Sequence, residues 1–360
     1  MSNKLIVGIT PGDGNGVGYE VIIKTFADER ILDMCTPVIY GSSKLFGFYR
    51  KNIHNIGNIN TNVIASAKDV HPKRVNIVNC LPDNVYVEPG QPTPESAKYA
   101  MTSLNCAVED IKAGLIDVLV TAPVSKLAMV KEGFGYTGHT EFLAHQFDTE
   151  DVAMIMVSEN MKLSTLSNHI PVSKIPETIT QEAILKKLHI LNDSLIRDFD
   201  IQHPKIAVLG LNPHSGDHGL LGEEEEKIIF PAVLKATEEG IDAFGPYSPD
   251  GFFGSGKYSR FDLVLAMYHD QGLPAFKALA YGHGVNFTAG LPIVRTSPGH
   301  GAEYELAGRD IANPSSFTSA LYAAIDIHAK RTGHDELLAG RVTVEAPDAE
   351  IKPRGGRIIE

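Results

Sequence analysis

Three histidines directly follow apolar runs of strand length. They are His169, His214 and His269, and the runs before them span residues 162–167, 205–211 and 263–267. In open α/β sheets, ligands bind beyond the carboxyl ends of such strands, so the three imidazoles are candidates to meet there. Taken singly, each histidine is more often an ordinary hydrogen-bonded residue. Their equivalent positions predict a divalent-metal site, and ligands rich in imidazole and poor in carboxylate favour Zn²⁺, Co²⁺ or Ni²⁺ over Mg²⁺.

A candidate anion site precedes a helix predicted over residues 141–146, where His139 and Thr140 stand. At a helix N-terminus, the free backbone N–H groups and the helix dipole attract a phosphate or a carboxylate. A simpler interpretation makes Thr140 the N-cap and places Glu141 in the first turn. The two interpretations are compatible, and local sequence does not decide between them.

Further anion-binding side chains occur later in the chain, at Lys277, Asn286 and Arg295. If these side chains converge, their charged and amide donors suit a phosphate. The same three side chains could simply be solvated and bind nothing, so the anion-binding interpretation stays open as well. Lys126 also follows a predicted strand, at residues 117–120, and by default it is a solvated lysine.

Two glycine-rich stretches resemble nucleotide-binding motifs only superficially. Residues 251–258 contain GxxxxGK, but Tyr258 stands where a P-loop needs Ser or Thr, and a strand follows instead of a helix. The glycines of the first loop do not have the GxGxxG spacing; they are Gly12, Gly14, Gly16 and Gly18. The sequence therefore predicts neither a P-loop nor a Rossmann fingerprint, and it shows no dinucleotide contacts.

The elements that must position these residues alternate between short apolar strands and amphipathic helices. A long helix is predicted from Pro94, where apolar residues recur every three or four positions. Strands alternating with helices in both halves of the chain predict an α/β fold with two similar lobes.

Length and composition exclude several classes of protein. The chain has 360 residues and a net charge of −12, which argues against a nucleic-acid partner because such binding needs a concentrated basic face. No apolar run approaches the ~20 residues that span a bilayer, so no membrane association is expected. The N-terminus does not read as a signal peptide, and three cysteines without CxxC spacing suit a reducing, cytoplasmic compartment.

Seven motifs together resemble the 4-hydroxythreonine-4-phosphate dehydrogenase family of pyridoxal phosphate biosynthesis. They read GDGNGVGYEVI, TAPVSK, GHTEFLA, HIPVSKI, GLNPHSGD, AMYHDQGLPAFK and GVNFTAGLPIVRTSPGHG. The match runs from about residue 6 to residue 316, with the motifs in the family's order.

The resemblance implies a fold similar to isocitrate and isopropylmalate dehydrogenases, with two α/β/α lobes and the active site in the cleft between them. We expect residues 1–125 and 305–345 to form the first lobe. Residues 126–304 would form the second, which carries the metal and substrate site and the dimer interface. Residues 346–360 are rich in proline, glycine and charge, and we expect a loose tail there.

The resemblance also implies a role for each candidate side chain. The divalent ion would be held by His169, His214 and His269, the last from the partner chain of a homodimer with shared active sites. Zn²⁺, Co²⁺, Mg²⁺ and Mn²⁺ are the candidate ions, with Zn²⁺ or Co²⁺ favoured. The substrate-binding positions are His139, Thr140, Lys277, Asn286 and Arg295. Asp250 and Asp270 match acidic positions near the substrate.

The implied reaction is oxidation of 4-phosphooxy-L-threonine at its 3-hydroxyl by NAD⁺, followed by decarboxylation to 3-amino-2-oxopropyl phosphate. Lys277 or Asp270 is the expected proton acceptor, with Lys277 preferred. One alternative is a catabolic dehydrogenase of the same family that uses D-threonate or D-erythronate 4-phosphate. Two others are a metal-dependent phosphoesterase, which would need no NAD⁺, and a non-catalytic binding protein.

Two positions depart from the family's usual pattern. The first loop lacks both prolines of the usual GDPAGIGPE, which puts its rigidity in doubt. Gly299 stands where an acidic residue usually precedes His300, which leaves the role of His300 open.

Overall fold

The computed structural model describes residues 4–340. Its twelve strands are β1 (Leu5–Thr10), β2 (Cys35–Gly41), β3 (Thr61–Ile64), β4 (Val75–Asn79), β5 (Val118–Thr121), β6 (Ala153–Val157), β7 (Lys162–Ser167), β8 (Ile206–Leu209), β9 (Ala243–Tyr247), β10 (Leu263–Tyr268), β11 (Val285–Ala289) and β12 (Val294–Pro298).

Twelve α-helices connect or follow these strands. They are α1 (Gly18–Thr25), α2 (Ile31–Met34), α3 (Ser43–Lys51), α4 (Pro94–Lys112), α5 (Lys126–Lys131), α6 (His139–Gln146), α7 (Ile175–Thr178), α8 (Gln181–Phe199), α9 (Phe230–Glu238), α10 (Pro249–Gly254), α11 (His269–Ala280) and α12 (Ser315–Ala339). A π-helical turn, Glu225–Ile229, leads into α9.

All twelve strands form one sheet in the order β3-β4-β2-β1-β5-β12-β11-β6-β7-β10-β8-β9. The pairs on either side of the centre are parallel, whereas β11 is antiparallel to β12 and to β6. Strands β6 and β7 are neighbours and pair antiparallel. The parallel strands of the second half therefore run opposite to those of the first half.

Alternate residues of the strands face opposite layers of helices, as the two-residue period of a strand requires. In β10, Leu263, Leu265 and Met267 join a core that continues across both halves of the sheet under α1, α8 and α12. Val264 and Ala266 face the other side. Helices thus cover both faces of the sheet, and the predicted α/β class is confirmed.

The second face carries two separate cores instead of one. One core contains Leu104 of α4 and Phe142 of α6, and the other contains Leu273 and Phe276 of α11. The predicted lobe boundaries at 125 and 305 remain a prediction. Strand β12 lies within the predicted second lobe and pairs with β5 of the first. The predicted loose tail, residues 346–360, lies outside the described residues.

The altered first loop is tied down by side chains in place of the missing prolines. Asn15 is fully buried, and its amide nitrogen donates to the carbonyl of Gln91 at 3.0 Å and to the Thr93 hydroxyl at 3.1 Å. Its amide oxygen accepts from the backbone of Glu88. Tyr304 donates to the Asp13 carboxylate at 2.8 Å. The loop is therefore anchored from both sides.

The sequence Gly272-Leu273-Pro274 predicts a turn before a helix, but α11 already begins at His269 and includes these residues. Pro274 removes one backbone hydrogen bond inside this helix, and the helix continues through it. No helix within residues 4–340 combines the length and the apolar character that crossing a bilayer requires.

Candidate active site

A cavity of about 250 Å³ lies on the second face of the sheet, between its two separate cores. Four adjacent strands form its floor, in the order β5, β12, β11, β6. Their alternate residues point into the cavity, and these include Thr121, Arg295, Asn286, Met154 and Met156. The pairing of Asn286 with Ser297 and with Met156 fixes this alignment.

Arg295 is a buried cation without a carboxylate partner. Its side chain is only 4% exposed, and it donates to the hydroxyls of Thr121, at 2.7 and 3.1 Å, and of Thr288, at 3.1 Å. Within residues 4–340 no carboxylate forms an ion pair with it. Burial lowers the pKa of Arg295 to about 10, and the Glu141 carboxylate opposes this shift. A desolvated charge with only neutral partners favours an anionic ligand.

Helix α6 places His139 directly against this guanidinium. Arg295 Nη2 donates to His139 Nδ1 at 3.2 Å, so the ring proton is on Nε2. Burial, Arg295 and Lys126 lower the pKa of His139 to about 3, and the ring is therefore neutral at neutral pH. Thr140 lines the cavity at the second position of the helix. Gly138 is the N-cap, so Thr140 is not.

Aromatic packing fixes the start of α6. Phe134, Tyr136 and Phe142 contact one another with ring centroids 5.4 Å apart. The Tyr136 hydroxyl also meets His145 Nδ1 at 2.9 Å. This cluster holds the helix and the loop before it, so that the first turn of α6 faces the cavity.

His169 and His269 come together because β7 and β10 are neighbours and pair in register. Ser167 of β7 lies beside Tyr268 of β10, and the two imidazoles that follow have ring centroids 5.9 Å apart. Both rings line the cavity. Partial burial, Lys126 and His269 lower the pKa of His169, which favours the neutral ring that a metal requires. Two imidazoles of one chain thus fit a shared metal ion.

His214 lies apart from these two rings. It belongs to a loop after β8, has a left-handed backbone with φ 54°, and does not line the cavity. Hydrogen bonds from Ser248 and from the backbone lower the pKa of Asp250, and the nearby His214 adds to this effect. Asp250 also lies outside the cavity. Across residues 4–340, no three His, Cys, Asp or Glu side chains of one chain converge on a common point.

Lys277 and Asp270 take different positions on α11. Lys277 is on the cavity wall, whereas Asp270 lies outside the lining and its Oδ1 is 2.5 Å from His269 Nδ1. This contact orients the histidine ring and leaves its Nε2 free to face the cavity. Asn286 Oδ1 is buried without a hydrogen-bond partner in the described structure, so it can accept from a ligand.

A second cavity, of about 430 Å³, adjoins the first at Lys277 and His300. His300 Nδ1 is 2.8 Å from the Gly301 carbonyl and donates to it, so in the neutral ring Nε2 is an acceptor. That nitrogen is buried and has no partner among the described residues. His300 therefore lines both cavities.

Sequence reasoning missed two features of the site. Lys126, interpreted as a solvated lysine, lines the cavity. Glu225, which the sequence analysis did not single out, is buried and holds the loop that carries His214. Neither has a local signal, because both depend on contacts between distant segments.

Comparison with known proteins gives close matches over most of the chain. The family model described as pyridoxal phosphate biosynthetic protein PdxA matches residues 33–324. A 4-hydroxythreonine-4-phosphate dehydrogenase of Bacteroides thetaiotaomicron is 48% identical over 330 residues, which are 91% of this chain and 90% of that protein.

A protein of Oceanobacillus iheyensis, provisionally named D-threonate 4-phosphate dehydrogenase, is 36% identical over 91% of this chain and 99% of its own length. The crystal structure of a 4-hydroxythreonine-4-phosphate dehydrogenase from Klebsiella pneumoniae matches with a TM-score of 0.78 and 30% identity. It covers 90% of this chain and 100% of that one. The chain therefore belongs to the PdxA family of pyridoxal phosphate biosynthetic proteins, as its motifs predict.

Proposed function

We propose that this protein is an NAD-dependent dehydrogenase that oxidises 4-phosphooxy-L-threonine at the 3-hydroxyl. Loss of CO₂ from the resulting β-keto acid then gives 3-amino-2-oxopropyl phosphate. The observation that carries the proposal is the buried Arg295, which has no carboxylate partner among residues 4–340 and stands beside a neutral His139. This arrangement suits an anionic substrate, and family membership supports the reaction class.

The substrate's anionic groups are held by Arg295, His139 and Thr140 at the start of α6. Arg295 supplies the positive charge, and the neutral His139 supplies an Nε2–H donor. Asn286 Oδ1, which lacks a partner, accepts a hydrogen bond from the substrate. Fixed donors of this kind orient the substrate before reaction and remove the need for water to reorganise.

Lys277 is the proposed proton acceptor, because its side chain reaches the cavity whereas Asp270 stands outside it. Asp270 acts through His269 by fixing the orientation of its ring. A divalent ion at His169 and His269 would polarise the substrate hydroxyl and lower its pKa. A bound nicotinamide cofactor would supply the hydride acceptor. We propose that the second cavity would hold it, where His300 Nε2 offers a hydrogen-bond acceptor.

We infer that the third metal ligand comes from a second chain of the predicted homodimer, and that this ligand is His214 instead of the predicted His269. His214 lies away from His169 and His269, and one chain brings only two of the three imidazoles together. Asp250, near His214, would belong to the same contribution from the neighbouring subunit.

The three cysteines of the described chain are free thiols, which supports a cytoplasmic location.

The decisive assay measures NADH formation from NAD⁺ and 4-phosphooxy-L-threonine, with and without a metal chelator. We expect turnover that chelation abolishes and added Zn²⁺ or Co²⁺ restores. Phosphate release without NAD⁺ would instead establish a phosphoesterase.

A second candidate substrate is D-threonate or D-erythronate 4-phosphate. The observation that favours it is the 36% identity to the Oceanobacillus iheyensis protein. These substrates carry a 2-hydroxyl in place of the 2-amino group. A higher kcat/KM for them than for the amino substrate, in the same NADH assay, would assign the catabolic activity.

A further inference from the structure

Lys126 opens helix α5, after the loop that follows β5. The Ser125 hydroxyl caps this helix by accepting from the backbone of Ala128 at 3.3 Å. The Lys126 side chain lines the cavity that holds Arg295 and His139. Its position is therefore set by an ordered helix start.

Within residues 4–340 the Lys126 ammonium has no ion-pair partner. The hydrogen-bond partner that it does have is His169 Nε2 at 3.5 Å, the outer limit of a hydrogen bond. No ion pair in the described part of the chain includes Lys126. An exposed lysine without a partner is common, so its surroundings must decide whether it has a role.

Charges around the cavity make the position of Lys126 unusual. The lining contains Lys126, Lys277 and Arg295, but Glu141 is its only carboxylate. The whole chain carries a net charge of −12, so this cavity has the opposite sign to the protein. Concentrated positive charge of this kind attracts anionic ligands.

The stem of Lys126 lies against the start of α6. A Cβ built on Gly138 would lie 3.3 Å from Lys126 Cε and 3.7 Å from Nζ. The ammonium thus stands near the positive end of the α6 dipole, in the cavity that Arg295 also lines, and Glu141 Oε2 lies 3.2 Å from the same Cβ position. Two cations and a helix N-terminus at one cavity favour an anion between them.

We propose that Lys126 is a further substrate-binding residue, whose ammonium pairs with an anionic oxygen of the substrate's phosphate or carboxylate. This inference rests on the proposed function for the identity of the substrate. It adds a third cation to Arg295 and Lys277, on the wall formed by α5.

Steady-state kinetics of three variants test the inference. Because a charge-assisted hydrogen bond is lost, we expect Lys126→Met to raise KM by about tenfold to a hundredfold. Lys126→Arg should restore most of the affinity, since it keeps the charge. Lys131→Met changes an exposed lysine at the other end of α5, outside this cavity, and should leave KM unchanged. A KM within twofold of wild type for Lys126→Met would overturn the inference.

Calorimetric binding separates the two anionic groups and does not depend on turnover. Inorganic phosphate and O-phospho-L-serine, which carries both groups, serve as probes. Weaker binding of both to Lys126→Met assigns the phosphate, and weaker binding of phosphoserine alone assigns the carboxylate. Unchanged binding of both would contradict the inference. If the wild type forms no NADH, the proposed dehydrogenase is refuted. If Lys126→Met nevertheless binds phosphoserine more weakly than the wild type does, the binding role of Lys126 is still supported.

Discussion

At the scale of single residues, the site contains buried polar groups whose loss of hydration is only partly offset by hydrogen bonds within the protein. In the described part of the chain, Arg295 has hydroxyl and imidazole partners but no carboxylate, and Asn286 Oδ1 has no partner. Both features cost stability in the empty protein. A ligand with an anionic group and a hydrogen-bond donor would satisfy them, which is a reason to interpret them as binding groups.

Replacing Arg295 by methionine separates binding from stability. We expect Arg295→Met to raise KM about a hundredfold, because a buried charged hydrogen bond to the substrate is lost. The free energy of unfolding should stay unchanged or rise, since an uncompensated buried charge is removed. Steady-state kinetics and urea denaturation measure the two effects. Arg74→Met, at an exposed position before β4, is the control, and marked destabilisation by Arg295→Met alone would contradict the prediction.

The lowered pKa of His139 predicts that this residue makes a pH-dependent contribution to the free energy of unfolding. Its pKa is about 3 in the folded protein and 6.5 ordinarily, so below pH 6.5 the unfolded chain binds a proton that the folded protein does not. The wild type should therefore lose stability relative to His139→Gln as pH falls from 6.5 towards 3, by at most about 1.4 kcal/mol per pH unit. Urea denaturation at several pH values measures this difference. Equal pH dependence in both proteins would exclude it.

At the scale of elements, the loop after β8 is held by one buried carboxylate. Glu225 Oε1 accepts from the backbone N–H groups of Leu211, at 2.7 Å, and Asn212, at 2.6 Å, and Oε2 accepts from Asn212 Nδ2 at 3.0 Å. A Cβ on Gly216 would lie 2.8 Å from the same carboxylate, so glycine is required there. The π-helical turn thus positions the strained backbone around His214.

Substitution of Glu225 tests this support. In Glu225→Gln one carboxylate oxygen becomes an NH₂ group that faces a donor, so we expect a loss of about 1–3 kcal/mol in the free energy of unfolding. Glu226→Gln, at the exposed neighbouring position, should change stability by less than about 0.5 kcal/mol. Chemical denaturation of both variants gives the comparison. Equal effects would show that the carboxylate does not hold the loop.

At the scale of the whole molecule, two half-sheets of opposite direction contribute to one site. The first half supplies Thr121 and Lys126, and the second supplies His169 and His269, with the central strands as the floor. His214 is at the end of β8, further from this floor. A third ligand from a neighbouring chain is the arrangement that we propose.

Mixed dimers test the shared site. His214→Ala and His269→Ala should each be inactive, but mixing them should restore about a quarter of wild-type activity, because half the dimers are mixed and each has one complete site. NADH formation after subunit exchange measures the recovery. Mixing His169→Ala with His269→Ala is the control and should restore nothing, since one chain brings both of these rings together. No recovery from the first mixture would exclude a third ligand from the neighbouring chain.

Local sequence determined much of the fold and part of the site. The apolar runs before His169 and His269 predict strands because their periodicity depends only on neighbouring residues, and β7 and β10 lie there. The position of His139 and Thr140 at a helix start has the same local origin. Family motifs named the substrate-binding residues, whose roles stay predictions.

The tertiary structure alone decided which of these residues meet. Arg295 contacts Thr121, 174 positions earlier in the chain, because β12 inserts beside β5. Strand order and register depend on packing between distant segments, and no local period encodes them. For the same reason the sequence left Lys126 as a solvated lysine, treated His214 as equivalent to His169 and His269, and did not reveal that Glu225 is buried. In this protein the sequence specified the elements, and long-range packing assembled the cavity.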